Sequence, residues 1–284
     1  MALSSQELQQ QLDRDGFLLL RNVLPREALS AVIRAIERAV DRRAQNLLRE
    51  GKITNLRESE PFQYRWQRIV ADMGSQQTRR SWDDEVVDES LFDLMRHPAL
   101  LDVVESLIGP EIMALGAIAV RPKVPGDKRT TVLWHQDSQY FGADSQTQNI
   151  ITVWLPLVRS DQKNGCMQVI PDSHRWGLQA FDKDEEANVL RPLEDPEQRG
   201  KAVNCEMDVS DLLVFGNLTF HRSIENVSDH TRWSIDLRYC SPDVTFARLP
   251  SFMPGFLARS QSRSAESWES WKAKVSQWRK PAVA

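Results

Sequence analysis

The chain has 284 residues, 41% of them hydrophobic and 27% charged, with a formal net charge of −4. This is the composition of a soluble globular protein able to bury a sizeable core, and its acidic balance excludes the basic face of a nucleic-acid binder. Cys166, Cys205 and Cys240 are odd in number and lack C-x-x-C spacing, so they read as free thiols in a reducing compartment rather than as a disulfide framework.

Residues 1–13 are polar, without the apolar stretch of a leader, and the longest apolar run, 114–120, is far short of the roughly 18 residues a spanning helix needs. A cytoplasmic protein without membrane contact is therefore expected. Ser4, Ser5 and Glu7 open a helix that Gly16 closes, and residues 17–20 have strand length. Pro25 opens a long helix whose apolar face is Leu29, Val32, Ile33, Ile36 and Val40. Periodicity fails over 51–88, which reads as irregular structure with room for a short helix. A second helical segment spans 98–108 and stops at Gly109-Pro110.

Beyond residue 110 the pattern changes. Short segments at 112–121, 132–137, 150–157, 168–170, 212–215 and 232–239, most of them rich in Val, Ile, Trp, Phe or Tyr, alternate with turn residues. Helices followed by many short strands predict a mainly β domain with flanking helices. No linker divides it, so one domain covers 1–284: a helical region over residues 1–110, a β core over 111–240, and a C-terminal loop and amphipathic helix over 241–284.

Among five histidines, His135 stands out in Leu133-Trp134-His135-Gln136-Asp137. Strand alternation sends His135 and Asp137 to one face, where an imidazole and a carboxylate can bind one metal. His221, after the turn Gly216-Asn217, is the best third ligand. Two histidines and one carboxylate on one face of an octahedron leave three positions open, for a keto acid in two and O2 in the third; this is the facial arrangement of Fe(II) oxygenases. Arg232, eleven residues beyond His221, offers a bidentate fork for the remote carboxylate of a keto diacid, and Ser223 adds a hydroxyl two residues past His221.

Trp134-His135-Gln136-Asp137 with Tyr140-Phe141, the run from Asn164 to His174, His221-Arg222-Ser223 and Arg232 together resemble the phytanoyl-CoA dioxygenase family, as do Asp15-Gly16-Phe17 and Leu24-Pro25. The resemblance implies a double-stranded β-helix, the cupin-like jelly roll, with helices packed on one sheet. It implies Fe(II) on His135, Asp137 and His221, and 2-oxoglutarate chelating the iron with its distal carboxylate on Arg232 and Ser223. Gln136 and Trp154 match positions near the cosubstrate. Where the family turn carries Gly before Ser-His, this chain has Asp172, a residue that tolerates the left-handed conformation. Asp137 stands where related halogenases have a small residue, which favours hydroxylation.

Two other classes of function fit a jelly roll bearing His and Asp. A non-oxidative metal enzyme, an isomerase or hydrolase, has no use for Arg232; a non-catalytic binding module has no need of three intact ligands. The expected substrate is a small molecule selected by loops at 51–88, 138–149 and 241–259. These offer Phe62, Tyr64, Trp66, Trp82, Tyr140 and Phe141, and the cations Arg57, Arg65, Arg68, Arg79 and Arg80. Those arginines either face an anionic substrate group or pair with local carboxylates. Arg238 is the next candidate for the cosubstrate should Arg232 lack that role, and His174 reads as structural.

Overall fold

The computed structural model describes residues 3–74, 82–83, 85–184 and 189–279. The helical region comprises α1 (Ser5–Asp15), α2 (Arg26–Arg49), α3 (Phe62–Met73), α4 (Glu89–Met95) and α5 (Pro98–Ile108), with strand β1 (Phe17–Leu20) after α1. The β region holds β2 (Ile112–Gly116), β3 (Ala119–Lys123), β4 (Ile151–Pro156), β5 (Met167–Val169), β6 (Phe181–Asp184), β7 (Val189–Pro192), β8 (Val203–Cys205), β9 (Leu212–Gly216), β10 (His221–Ser223), β11 (Arg232–Cys240) and β12 (Met253–Arg259). A short helix α6 (Asp137–Phe141) precedes β4, and α7 (Trp268–Trp278) ends the chain.

The large sheet runs β1-β9-β4-β11-β2-β12, with β3 also on β11; the small one runs β10-β5-β8, and every pair is antiparallel. Between them Trp154, Met167, Val169, Cys205, Leu213 and Phe215 form one apolar cluster. The two facing sheets are the jelly roll expected from the resemblance. Period-two alternation explains why the large sheet is buried on both faces. Along β11, Trp233, Ile235, Leu237 and Tyr239 join the helix-side core, where α2 contributes Leu29, Val32, Ile36 and Val40. The intervening Arg232, Ser234, Asp236 and Arg238 are buried as well, but on the inner face.

Local signals hold at the N-terminus. Glu7 N–H donates to Ser4 Oγ at 3.3 Å, and the Ser4 N–H donates back to the Glu7 carboxylate at 2.7 Å, a reciprocal capping box. Gly16 ends α1 in the left-handed region at φ 78°. Asp172 occupies the same region at φ 65°, so the turn before His174 keeps its shape without glycine.

Several expectations are corrected. Within 51–88 lies a full helix, α3, whose Trp66, Ile69 and Val70 pack into the core. Helix α4 was not legible, since its seven residues are too few to show a period. The segment 112–121 is two strands, which meet β11 at separate registers. The C-terminal region is more than loop and helix, because β12 pairs with β2. That pairing requires glycine at position 116, where a Cβ would sit 1.6 Å from the Met253 carbonyl oxygen. Among the described residues, no helix is long and apolar enough to cross a membrane.

Candidate active site

His135 belongs to no strand. It is held by a single antiparallel bridge to His221, at the start of β10. The two residues exchange backbone hydrogen bonds, each N–H donating to the other's carbonyl at 3.1 Å. Their rings therefore lie side by side, with centroids 4.1 Å apart. Asp137 is the first residue of α6 rather than the next inward position of a strand. The chain turns there, and the carboxylate still reaches the imidazoles: Asp137 Oδ1 lies 3.8 Å from Nε2 of each histidine. The three ligand atoms fall within 4.8 Å of one another, and all three residues are buried.

The supporting contacts fit a divalent metal. His135 Nδ1 lies 2.8 Å from the Leu133 carbonyl and His221 Nδ1 2.9 Å from the Thr219 carbonyl. A carbonyl only accepts, so each Nδ1 carries the hydrogen and each Nε2 lone pair is free for a metal. Burial, reinforced by His221, pushes the His135 imidazole down to about 3, and burial lowers His221 too. Both stay neutral, as ligands must. Burial alone would push the Asp137 carboxyl up, but the Arg238 guanidinium and the Thr152 hydroxyl hold it below the usual carboxylate range. Asp137 Oδ2 also accepts from Thr152 Oγ1 at 2.6 Å. The carboxylate is thus ionised and oriented before any ion arrives.

A cavity opens beside the triad. Its wall includes Arg232, Ser223 and Trp154, with Lys123, Thr130, Met167 and Phe215. Arg232 is 2% exposed and donates to Ser234 Oγ at 2.8 Å, while its buried Nε has no partner among the described residues. Its guanidinium stands 5.1 Å from the Trp154 ring centroid. Burial lowers Arg232 to about 10, so it remains a cation. A buried cation with an unused donor beside an open cavity calls for an anion. Lys123, which sequence reasoning missed, donates to the Thr130 carbonyl at 2.9 Å; burial and the neighbouring Arg232 and Arg121 push it down to about 6.

Gln136 is the expectation that the structure corrects. Its amide nitrogen donates to the Gly177 and Leu218 carbonyls at 2.9 and 2.7 Å, and its oxygen accepts from Gln179 N–H at 2.8 Å. The side chain braces backbone and does not line the cavity. Arg238 also takes a different place, within 3.4 Å of Asp137 and 3.5 Å of Asp236 rather than at the cosubstrate end.

The loop residues divide. Tyr140 stands edge-on to His135 with ring centroids 5.3 Å apart. Phe141 packs with Phe246 and Phe252 in an apolar cluster that also holds Leu115 and Ala117. Phe62 and Trp82 instead pack on Trp233, with Trp66 against Trp82, on the helix side of the sheet. Arg57 pairs with Asp72 and Arg65 with Asp41, so local carboxylates occupy both. Arg79 and Arg80 lie outside the described residues. His174 is structural: Nε2 meets the Asp13 carbonyl at 3.1 Å, and a Cβ on Gly16 would lie 2.3 Å from Nδ1.

What was missed had a signal. The inner face of β11 and of β3 reads Arg232-x-Ser234-x-Asp236-x-Arg238 and Arg121-x-Lys123, polar residues at period two between apolar ones. Polar side chains on the inner face of a doubly buried sheet mark a chamber rather than a core.

A jelly roll that presents two neutral imidazoles and an ionised carboxylate beside a cation-lined cavity is the framework of the non-haem Fe(II), 2-oxoglutarate-dependent oxygenases. Residues 12–234 match the profile of the phytanoyl-CoA dioxygenase (PhyH) family, and the chain belongs to that family. It is 28% identical to the peroxisomal phytanoyl-CoA dioxygenase of Bos taurus over 164 residues, 56% of this chain and 48% of that protein. The chain thus spans about half the length of the curated relatives it matches first. It is 22% identical over 259 residues to the ectoine dioxygenase of Bordetella parapertussis, covering 86% of this chain and 77% of that one. Among solved structures, the apo form of the non-haem monooxygenase ThoJ superposes with a TM-score of 0.65 at 20% identity, over 95% of this chain and 94% of its own.

Proposed function

We propose that this protein is an Fe(II)- and 2-oxoglutarate-dependent oxygenase that hydroxylates a small-molecule metabolite, with succinate and CO2 as coproducts. The observation that carries the reading is the pairing of the His135-Asp137-His221 face with the buried, under-partnered Arg232 in the same chamber. A non-oxidative metal enzyme has no use for that cation, and a non-catalytic module has no use for histidines fixed with both Nε2 atoms converging.

His135 Nε2, Asp137 Oδ1 and His221 Nε2 would hold the iron, which when bound supplies three open positions and the activation of O2. Arg232 binds the distal carboxylate of 2-oxoglutarate, with Ser223, Lys123 and Trp154 forming the rest of its wall. The overall reaction balances as R–H, O2 and 2-oxoglutarate giving R–OH, succinate and CO2. Tyr140, edge-on to His135, sets an aromatic ring beside the triad that helps to exclude water from it. Three cysteines, free and buried, support a reducing, cytoplasmic setting.

The test is succinate formation from 2-oxoglutarate with Fe(II) and O2 across a compound panel. Activity that depends on both Fe(II) and 2-oxoglutarate supports the reading. Isomerisation or hydrolysis of a compound with no 2-oxoglutarate consumed overturns it.

A further inference from the structure

The chamber carries more polar chemistry than metal and cosubstrate require. Arg121 donates through Nε to Asp236 Oδ2 at 2.8 Å, and Arg238 approaches the same oxygen at 3.5 Å. Asp236 Oδ1 is buried, in a residue 5% exposed that lines the cavity, and has no hydrogen-bond partner among the described residues. Arg121 also lines the cavity, yet its side chain keeps 38% of its exposure while Asp236 keeps 7%. Among the described residues, its only hydrogen bond is the one through Nε. One ion pair therefore offers the cavity a guanidinium edge with unused donors and a carboxylate oxygen with an unused lone pair.

Charge points the same way. Within the barrel, Arg121, Arg232 and Arg238 face Asp137 and Asp236, and Lys123, once charged beside the cosubstrate, adds to the positive side. The two charges of Fe(II) and the two of the 2-oxoglutarate dianion would cancel. Residual positive charge on a largely buried wall favours an anionic guest. Arg121 lies on β3, two residues from Lys123, so a group held there sits in the same chamber as the triad.

We propose that Arg121 and Asp236 form the substrate-recognition pair, and that the substrate carries a carboxylate for Arg121 with a hydroxyl or ammonium on the adjacent carbon for Asp236 Oδ1. The inference rests on the oxygenase reading and names its substrate class: an apolar-tailed 2-hydroxy or 2-amino acid. The tail runs toward Tyr140, whose ring stands edge-on to His135. Arg238 acts as a positioning residue, since it holds Asp236 from behind.

Thermal melting tests this without turnover. The protein is loaded with Ni(II) and 2-oxoglutarate, then melted with apolar-tailed 2-hydroxy acids, 2-amino acids, matched deoxy acids and matched primary amides. One of the first two sets raises the melting temperature by about 2 °C or more, the deoxy acids raise it less, and the amides leave it unchanged. Which set responds identifies the donor. Arg121→Gln, a change at a partly exposed side chain, abolishes the response, and Arg121→Lys restores part of it. Amides acting as well as acids, a response that survives Arg121→Gln, or no response to any acid overturns the inference. So does an Arg121→Gln loss of 2-oxoglutarate binding as large as that of Arg232→Ala, which would assign Arg121 to the cosubstrate. If Ni(II) with 2-oxoglutarate itself leaves the melting temperature unmoved, the oxygenase reading fails and this inference falls with it; stabilisation by that pair with no acid response sinks this inference alone.

Discussion

His135 and His221 face each other across one antiparallel bridge, each donating its backbone N–H to the other's carbonyl at 3.1 Å. One backbone contact therefore pairs two of the three candidate metal ligands. Because it is made by backbone, the side chains can be changed without breaking it.

His135→Ala, Asp137→Ala and His221→Ala should each abolish turnover while leaving the circular dichroism spectrum intact. Metal affinity should fall by more than the ~10–100-fold that loss of a supporting residue typically causes. Titration with Co(II) or Ni(II) checks this. Near-normal metal binding in all three variants would remove the site.

Arg232→Ala should raise the apparent KM for 2-oxoglutarate while metal still binds. Loss of one partner of a buried charge pair typically costs about 2–5 kcal/mol, which converts to roughly 30-fold or more in affinity. Ser223→Ala removes a hydroxyl that already accepts from Val132 N–H at 3.2 Å, so a smaller loss is expected. An unchanged KM in Arg232→Ala would move the role to Lys123, the next cation in the same wall.

Lys123 makes cosubstrate binding pH-dependent. In the free protein burial, then Arg232 and Arg121, push it from 10.5 down to about 6. A dicarboxylate beside it favours the charged form, so binding takes up a proton above about pH 6, and 2-oxoglutarate affinity falls as pH rises from there. The slope approaches tenfold per unit, and Lys123→Met should flatten it. Ligand-free stability has the opposite sense. The unfolded chain holds more protons than the folded one above that pH, so stability rises with pH over the same range. Calorimetry and melting at a series of pH values read the two slopes. A 2-oxoglutarate affinity independent of pH would exclude Lys123 from its wall.

Trp82→Ala should be a stability mutant without effect on substrate choice. Trp82 packs edge-on against Trp66 and Trp233, with centroids at 4.7 and 5.2 Å, under the Arg43 guanidinium. Truncating a buried tryptophan typically costs about 3–5 kcal/mol. A changed preference in the compound panel at preserved stability would return this residue to the substrate side.

The amino-acid order by itself determined which residues could be chemical. Only five histidines are present, one of them two positions before an aspartate, and an arginine follows the third ligand by eleven residues. The alternation of β11 also fixes that Arg232 and Asp236 share a face, because side chains in an extended chain alternate by geometry alone. Tertiary structure decided the rest. Asp137 reaches the two imidazoles from the start of a helix, Gln136 turns to the Gly177 and Leu218 carbonyls, and Trp66 and Trp82 go to the core beneath Trp233. Local pattern records only period and polarity, whereas these placements depend on which distant backbone and ring arrive opposite. Lys123 shows the same limit: its charge is plain in the sequence, but its depressed basicity exists only once β3 pairs with β11 and sets it beside Arg232.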